Sequence, residues 1–258
     1  VARLAEGRLP PRAACITFDD GYRDNLQIAA PILARHGMTA TFFVASGFLD
    51  GGRMFNDTVR ESVRRLPSGE HDLSWLELGR RHVDDNTSRM SLFMDAVAAI
   101  KYLEPDARDV AGERLAAMAD TALPDDLMMT SEQVRTLQRS GMEVGGHTLT
   151  HPILSRIDAD EARRQIVGNR AALASLLDQP PRFFAYPNGV PQRDYGAHHV
   201  VMARDAGYQA AVSTARGTCT RDSDLFQLPR FAPWHSRAMD YRLSLLKHFA
   251  KRANETRA

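Results

Sequence analysis

Ile16-Thr17-Phe18-Asp19-Asp20-Gly21 is the stretch that sets the fold class. An apolar, β-branched run ending in two adjacent carboxylates and a glycine predicts a buried strand that carries a pair of acids to its C-terminal edge. In a largely parallel α/β architecture that edge is where sites are assembled. Side chains alternate along extended backbone, so Asp19 and Asp20 are expected to face different surroundings and to divide their work. Taken alone, the pair fits a helix N-cap followed by a turn residue equally well.

Outward from this stretch, Asp24 reads as the N-cap of a helix with Leu26, Ala29, Ala30 and Leu33 on one face, closed by Gly37. Thr39 to Val44 reads as the next strand, and strand, helix, strand at this spacing is a parallel crossover. Residues 48–128 then break the rhythm. They show helical periodicity over Thr58 to Leu66, Arg89 to Leu103 and Ala107 to Ala119 without a strong strand signal, and no Gly/Ser/Pro linker bounds them on both sides. The expectation is a single domain over 1–258 with a helical insertion at about 48–128.

From Ser131 the alternation resumes. Ser131-Glu132-Gln133 resembles a capping arrangement, and Met142 to Val144, Arg182 to Ala185, Gln209 to Val212 and Phe226 to Phe231 read as strands. Helices are expected over Asp158 to Leu177, Tyr195 to Ala206 and the amphipathic Met239 to Phe249. Repeated β then α segments define an α/β protein, a barrel or a doubly wound sheet.

Composition excludes some functions. Lys+Arg 33 against Asp+Glu 32 gives a net charge of +1, so no global field steers the chain to nucleic acid or a membrane surface. No apolar run approaches the roughly 20 residues of a membrane-spanning helix, and Val1-Ala2-Arg3 opens no signal-peptide pattern. Two cysteines define no disulfide framework, and Cys15 reads as a small buried hydrophobe. Compartment, whether bacterial periplasmic, extracellular or cytoplasmic, and oligomeric state stay open.

The chemistry lies in three stretches. His147-Thr148-Leu149-Thr150-His151-Pro152 places two imidazoles four residues apart after Gly145-Gly146, whose missing side chains permit close backbone approach. Two such nitrogens converge on one ion if the segment turns, and a carboxylate from another strand end completes a His-His-Asp set. By spacing alone, two solvated or hydrogen-bonded histidines are the default reading. One of the two acids would then ligate, while the other stays ionised and accepts a proton from an attacking water. Phe183-Phe184-Ala185-Tyr186-Pro187-Asn188-Gly189 is an aromatic strand whose turn presents backbone amides at the same rim, where one could hold a developing oxyanion.

These three motifs, in this order and spacing, resemble the polysaccharide deacetylases, the NodB-like carbohydrate esterases, over roughly residues 10–235. The Phe-Ala-Tyr-Pro sequence resembles one branch of that family. The resemblance implies a distorted (β/α) barrel with fewer than eight regular strands and one divalent metal ion, Zn2+ first, with Co2+, Ni2+ or Mn2+ as alternatives. It also implies removal of N-acetyl groups from N-acetylglucosamine-type units of a polysaccharide or oligosaccharide. By position, Asp19 is the general base, Asp20, His147 and His151 are the metal ligands, and Tyr186 lends its amide to the oxyanion.

Thr148, Asn188 and Trp234 are expected at the substrate. Where many relatives carry a base-orienting arginine this chain has Ala185; Arg182 is not its equivalent, and Arg230 in Leu228-Pro229-Arg230-Phe231 takes the role by resemblance to the branch. His235 is the expected general acid, His248 fitting a helix face better. Asp57, opening the insertion, reads as an N-cap or reaches the rim. The rival functions are the same site acting on another carbon-nitrogen bond, such as a deformylase or cyclic-amide hydrolase, and a sugar-binding relative without catalysis.

Overall fold

The computed structural model describes residues 1–11, 13–119, 121–232 and 237–250, with side chains of the last helix described as far as Lys247. In chain order the elements are α1 (Ala2–Ala5), β1 (Ile16–Phe18), α2 (Ala30–Arg35), β2 (Ala40–Val44), α3 (Phe55–Arg64), β3 (Gly69–Asp72), β4 (Arg80–Val83), α4 (Asn86–Ile100) and α5 (Pro105–Ala116). They continue as α6 (Ser131–Arg139), β5 (Glu143–Gly146), α7 (Ala159–Leu176), β6 (Phe183–Ala185), α8 (Ala197–Asp205), β7 (Ala210–Arg216), β8 (Leu228–Arg230) and α9 (Ala238–Ala250). The chain forms two compact units, Val1–Gly47 together with Met129–Ala258, and Phe48–Met128.

The first unit is built on six parallel strands in the order β1-β2-β5-β6-β7-β8. Strand order follows chain order, so each crossover moves one position the same way and the sheet curls into a half-barrel. This is the distorted (β/α) barrel with fewer than eight strands. It is left open between its first and last strands. In β2, Phe42, Phe43 and Val44 are buried, each worth about 1.5–3 kcal/mol of apolar transfer. In the same unit, Ile166 of α7, Phe184 of β6 and Ala203 of α8 join Tyr186, Tyr195 and Tyr208 in one core.

Several expectations change. β1 is not a buried strand: it lies at a sheet edge, and Ile16 to Phe18 are exposed or half-buried. Cys15 just before it is exposed, not a core residue. Asp24 makes no capping bond, because the chain there enters α2 through a π turn at Asn25–Ala29, just before Pro31, which lacks the N–H of a regular turn. Thr130, not Ser131, caps α6: its hydroxyl accepts from the Gln133 amide while the Gln133 side chain accepts from its own.

The second unit has a core of its own, with Val59 and Val63 from α3, Leu92, Ala96 and Ile100 from α4, and Leu115 from α5. It also contains an antiparallel hairpin, β3 with β4, where no strand was expected. Gly-Glu-His-Asp and Arg-Arg-His-Val have too few apolar residues to show a period of two; the pairing is carried instead by backbone and by cross-strand groups such as His82 and Glu70 at 3.0 Å. Asp57 is no N-cap: it is the third residue of α3, buried, and paired with Arg60 at 2.6 Å.

In the first unit, α8 starts on an unusual cap. Nδ1 of the buried His199 accepts from the Gly196 N–H at 3.0 Å, which requires a neutral ring. Burial, with some help from the neighbouring His198, pushes the His199 pKa down to about 4. The unfolded chain therefore takes up this proton near pH 6.5 and the folded chain only near 4, so stability falls as pH drops between those values. Urea denaturation is expected to show roughly 2 to 3 kcal/mol lost from this group between pH 7 and 4.5, and His199→Gln, which keeps an acceptor without a titration, is expected to have a correspondingly flatter profile. Parallel profiles for the two proteins would contradict the assignment.

Candidate active site

The C-terminal ends of β1, β5, β6 and β8 bring the motif residues together. Asp19 and Asp20 follow β1, and it is a left-handed turn at Asp20, φ 77°, rather than strand alternation, that separates their side chains. The Ala45 amide secures this turn by donating to the Asp20 carbonyl. Asp20 Oδ1 lies 3.4 Å from Nε2 of His147 and 3.4 Å from Nε2 of His151.

That spacing is informative. It is long for a hydrogen bond, yet two atoms each 2.0–2.1 Å from one ion at a tetrahedral angle lie about 3.3–3.4 Å apart. The ligating atoms of the three residues fall within 4.8 Å of one another. His147 is fixed for this task, since its Nδ1–H donates to the Ala185 carbonyl at 2.7 Å and leaves Nε2 facing Asp20. The donor set, two imidazoles and one carboxylate, fits a divalent ion such as zinc.

The backbone around these groups is strained. Thr148, His151 and Asn188, like Asp20, have positive φ without being glycine, each costing on the order of 1–3 kcal/mol and persisting only where the surroundings over-determine it. Gly145 and Gly146 answer the question of close approach: a Cβ on Gly145 would lie 2.5 Å from the Phe43 ring, and one on Gly146 2.1 Å from the Tyr208 hydroxyl oxygen.

Asp19 is gripped from the far end of the sheet. Arg230, the last residue of β8, forks onto it with Nη1 at 2.7 Å from Oδ1 and Nη2 at 2.8 Å from Oδ2. Its Nε donates to the Ser213 carbonyl at 2.9 Å, which fixes the plane of the guanidinium. Burial pushes the Asp19 carboxyl up, but the charge and hydrogen bonds of Arg230 outweigh it and hold the pKa below the usual carboxylate value. Asp20 is held low in the same way, burial being outweighed by His147 and His151. His147 is displaced in the opposite sense: burial opposes protonation, and Asp20 and Asp19 together more than offset it. The two acids thus place negative charge beside the two imidazoles.

Other expected residues fall differently. Tyr186 donates its N–H, expected at the oxyanion, to the Val212 carbonyl at 3.3 Å in the β6–β7 ladder. Its ring is buried, stacked on Tyr195 with centroids 3.9 Å apart, and its hydroxyl donates to the Phe226 carbonyl. Thr148 is fully buried, its hydroxyl donating to the His147 carbonyl and accepting from the His151 amide, so it braces the loop.

Asn188 lies on the turn after β6, its carbonyl accepting from the Thr214 hydroxyl at 2.7 Å. Arg182 lies at the opposite end of β6 from that turn and pairs with Glu143 at 2.6 Å. Trp234 and His235 lie outside the described residues, as does the side chain of His248. Two further amides, Gln165 and Asn169, reach the histidine loop from α7; their signal in the sequence is a pair of polar residues on the otherwise apolar buried face of Ala162, Ile166 and Leu173.

Two carboxylates and two imidazoles converge at the rim of an open parallel barrel, one carboxylate within the candidate ion cluster and one beside it, the groups that a metal-assisted hydrolytic centre uses. The chain belongs to the polysaccharide deacetylase family, whose sequence profile matches residues 6–211. It is 20% identical over 219 residues to the putative polysaccharide deacetylase YxkH of Bacillus subtilis, a match that takes in 85% of this chain and spans about half the length of that curated relative.

Solved structures with a similar fold include the Streptococcus pyogenes deacetylase PplD in complex with acetate, 19% identical, with 96% of this chain and 75% of that chain covered and a TM-score of 0.57. Another is IcaB from Ammonifex degensii, 18% identical, covering 94% and 76%, with a TM-score of 0.56. The deacetylase domain of BpsB from Bordetella bronchiseptica is 18% identical, covering 89% and 75%, with a TM-score of 0.55.

The Arg230 fork yields a kinetic expectation. Arg230→Ala leaves the three cluster residues in place but frees Asp19 to turn, which is expected to cost about 100-fold in kcat with metal content unchanged. With its counter-charge gone, burial dominates Asp19, and the acid limb of the kcat/KM profile is expected to move to higher pH. A limb that stays in place would show that Asp19 is not the titrating group.

Proposed function

We propose that this chain is a metal-dependent hydrolase that removes N-acetyl groups from N-acetylglucosamine-type units of a carbohydrate polymer or oligosaccharide. The observation that carries the reading is the division of the adjacent acids: Asp20 Oδ1 stands at one distance, 3.4 Å, from both imidazoles, while Asp19 beside it is held by Arg230. Family membership and the deacetylase neighbours support the reaction type.

Asp20, His147 and His151 would hold the ion, with zinc first and cobalt, nickel or manganese as alternatives. When bound there, it would supply Lewis acidity to the amide carbonyl and a nucleophilic water at neutral pH. Asp19 is ionised at neutral pH and fixed in direction, so it accepts the proton lost by the attacking water. Arg230 keeps the acceptor oriented through the step. A carbon–oxygen bond forms, the carbon–nitrogen bond breaks, and the amine leaves with a proton assigned to His235, yielding acetate and a free amino sugar. Asn188 and Trp234 are assigned to sugar contact.

The test is acetate release from chito-oligosaccharides, run beside a formamido sugar and a small cyclic amide. The wild type is expected to release acetate, to lose activity on chelation and to regain it with Zn2+ or Co2+. Asp19→Asn is expected to keep the metal and lose on the order of 10²- to 10⁴-fold in kcat, whereas His147→Ala is expected to lose the metal itself. Turnover of the formamide or cyclic amide in preference to the acetylated sugar would transfer the site to the rival substrates, and near wild-type rates for Asp19→Asn would remove the base assignment.

A further inference from the structure

Helix α7 presents two buried amides one turn apart, Gln165 and Asn169, and both are spent on the loop that carries the histidines. Asn169 Oδ1 accepts from the His147 N–H at 3.0 Å, and its Nδ2 donates to the Val44 carbonyl at 3.0 Å and to Ser46 Oγ at 2.8 Å. The same His147 N–H also reaches the Val44 carbonyl at 3.2 Å. Asn169 thus inserts a side-chain rung between the ends of β2 and β5, at the residue where ladder gives way to loop. Gln165 Oε1 accepts from the Thr150 N–H at 2.9 Å, while its Nε2 donates to Thr150 Oγ1 and to Glu161 Oε1, each at 2.9 Å. Thr150 immediately precedes His151.

We infer that Gln165 and Asn169 are positioning residues that set the separation of the two imidazoles and thereby the affinity of the site for its ion. The inference deepens the reading of Asp20, His147 and His151 as ligands and rests on it. Residues four apart on a helix face are about 6 Å apart along its axis, and here each end of that interval is bonded to the backbone at, or one residue before, a histidine also four apart in sequence. Helix pitch acts as the gauge for the ligand spacing.

The loop requires such a gauge. Thr148 and His151 both adopt left-handed backbone, φ 64° and 53°, unfavourable for a β-branched residue above all, and relax unless held. Within the loop, the Thr148 hydroxyl to the His151 N–H is an internal brace. The α7 amides tie that braced loop to the scaffold. Residues that orient ligands in this way commonly govern 10- to 100-fold in metal affinity.

The experiment measures Co2+ affinity by competition with a chelator, together with the visible cobalt spectrum and thermal stability, in the full chain. Wild type, Gln165→Leu, Asn169→Ser and Leu173→Ala are compared; Leu173 shares the buried face of α7. Gln165→Leu and Asn169→Ser are each expected to weaken Co2+ binding 10- to 100-fold and to alter the visible bands, while Leu173→Ala lowers thermal stability and leaves affinity within twofold of wild type.

If Asn169→Ser does not fold, Gln165→Leu decides alone. Unchanged affinity and spectrum in a folded Gln165→Leu overturn the inference and leave the site's reading intact. A loss in Leu173→Ala equal to that of Gln165→Leu also overturns it, by showing general loosening. Absence of Co2+ binding in the wild type overturns both.

Discussion

One ion pair holds the architecture and the chemistry together. Among the described residues the parallel sheet runs from β1 to β8 without closing, and its two edge strands share no backbone ladder. Arg230 at the end of β8 crosses to Asp19 at the end of β1 and also donates to Thr17 Oγ1. Its fork therefore spans the seam of the barrel at the rim where the site stands. A bidentate pair fixes direction as well as distance, so the same contact that links the edges points Asp19. Neither group is fully exposed, with side-chain exposures of 16% and 30%, and the interaction is screened less than a surface pair would be.

The rest of the site is arranged as successive restraints on a few side chains. Ala185, at the position where the family resemblance implies an arginine in many relatives, lends its carbonyl, and that carbonyl sets which nitrogen of His147 faces Asp20. Gly145 and Gly146 let Phe43 and Tyr208 pack against the strand that delivers His147. Strain at Asp20, Thr148, His151 and Asn188 is concentrated at the rim, whereas the barrel wall beneath is packed from buried aliphatic and aromatic residues. Rigid wall and strained rim together are what a preorganised centre needs.

What could be read from the chain follows the range of the interactions involved. Asp19, Asp20, His147 and His151 were legible because each motif is a few contiguous residues at a strand end, where residue type alone suggests chemistry. Arg230 lies 211 residues from Asp19, so nothing local marks it, and only the family resemblance pointed there. That the Tyr186 amide and the Thr148 hydroxyl have partners within the fold was not legible, because sequence does not say whether an amide or hydroxyl is already taken by a neighbouring strand or turn. Gln165 and Asn169 were missed because a helix interior is scanned for its apolar period, and two amides within it look like interruptions. The edge position of β1 and the polar hairpin of β3 and β4 were hidden for a related reason, since apolar alternation reports burial and not pairing.

The central claim is that one acid of the pair binds the ion while its neighbour stays apart, held by arginine. A metal-loaded crystal structure with anomalous scattering at the metal edge tests it directly. A single peak within ligand distance of Asp20 Oδ1 and both Nε2 atoms, with Asp19 still forked by Arg230, is the predicted result. A peak ligated by Asp19, or an Arg230 released from it when the ion is bound, would contradict the account.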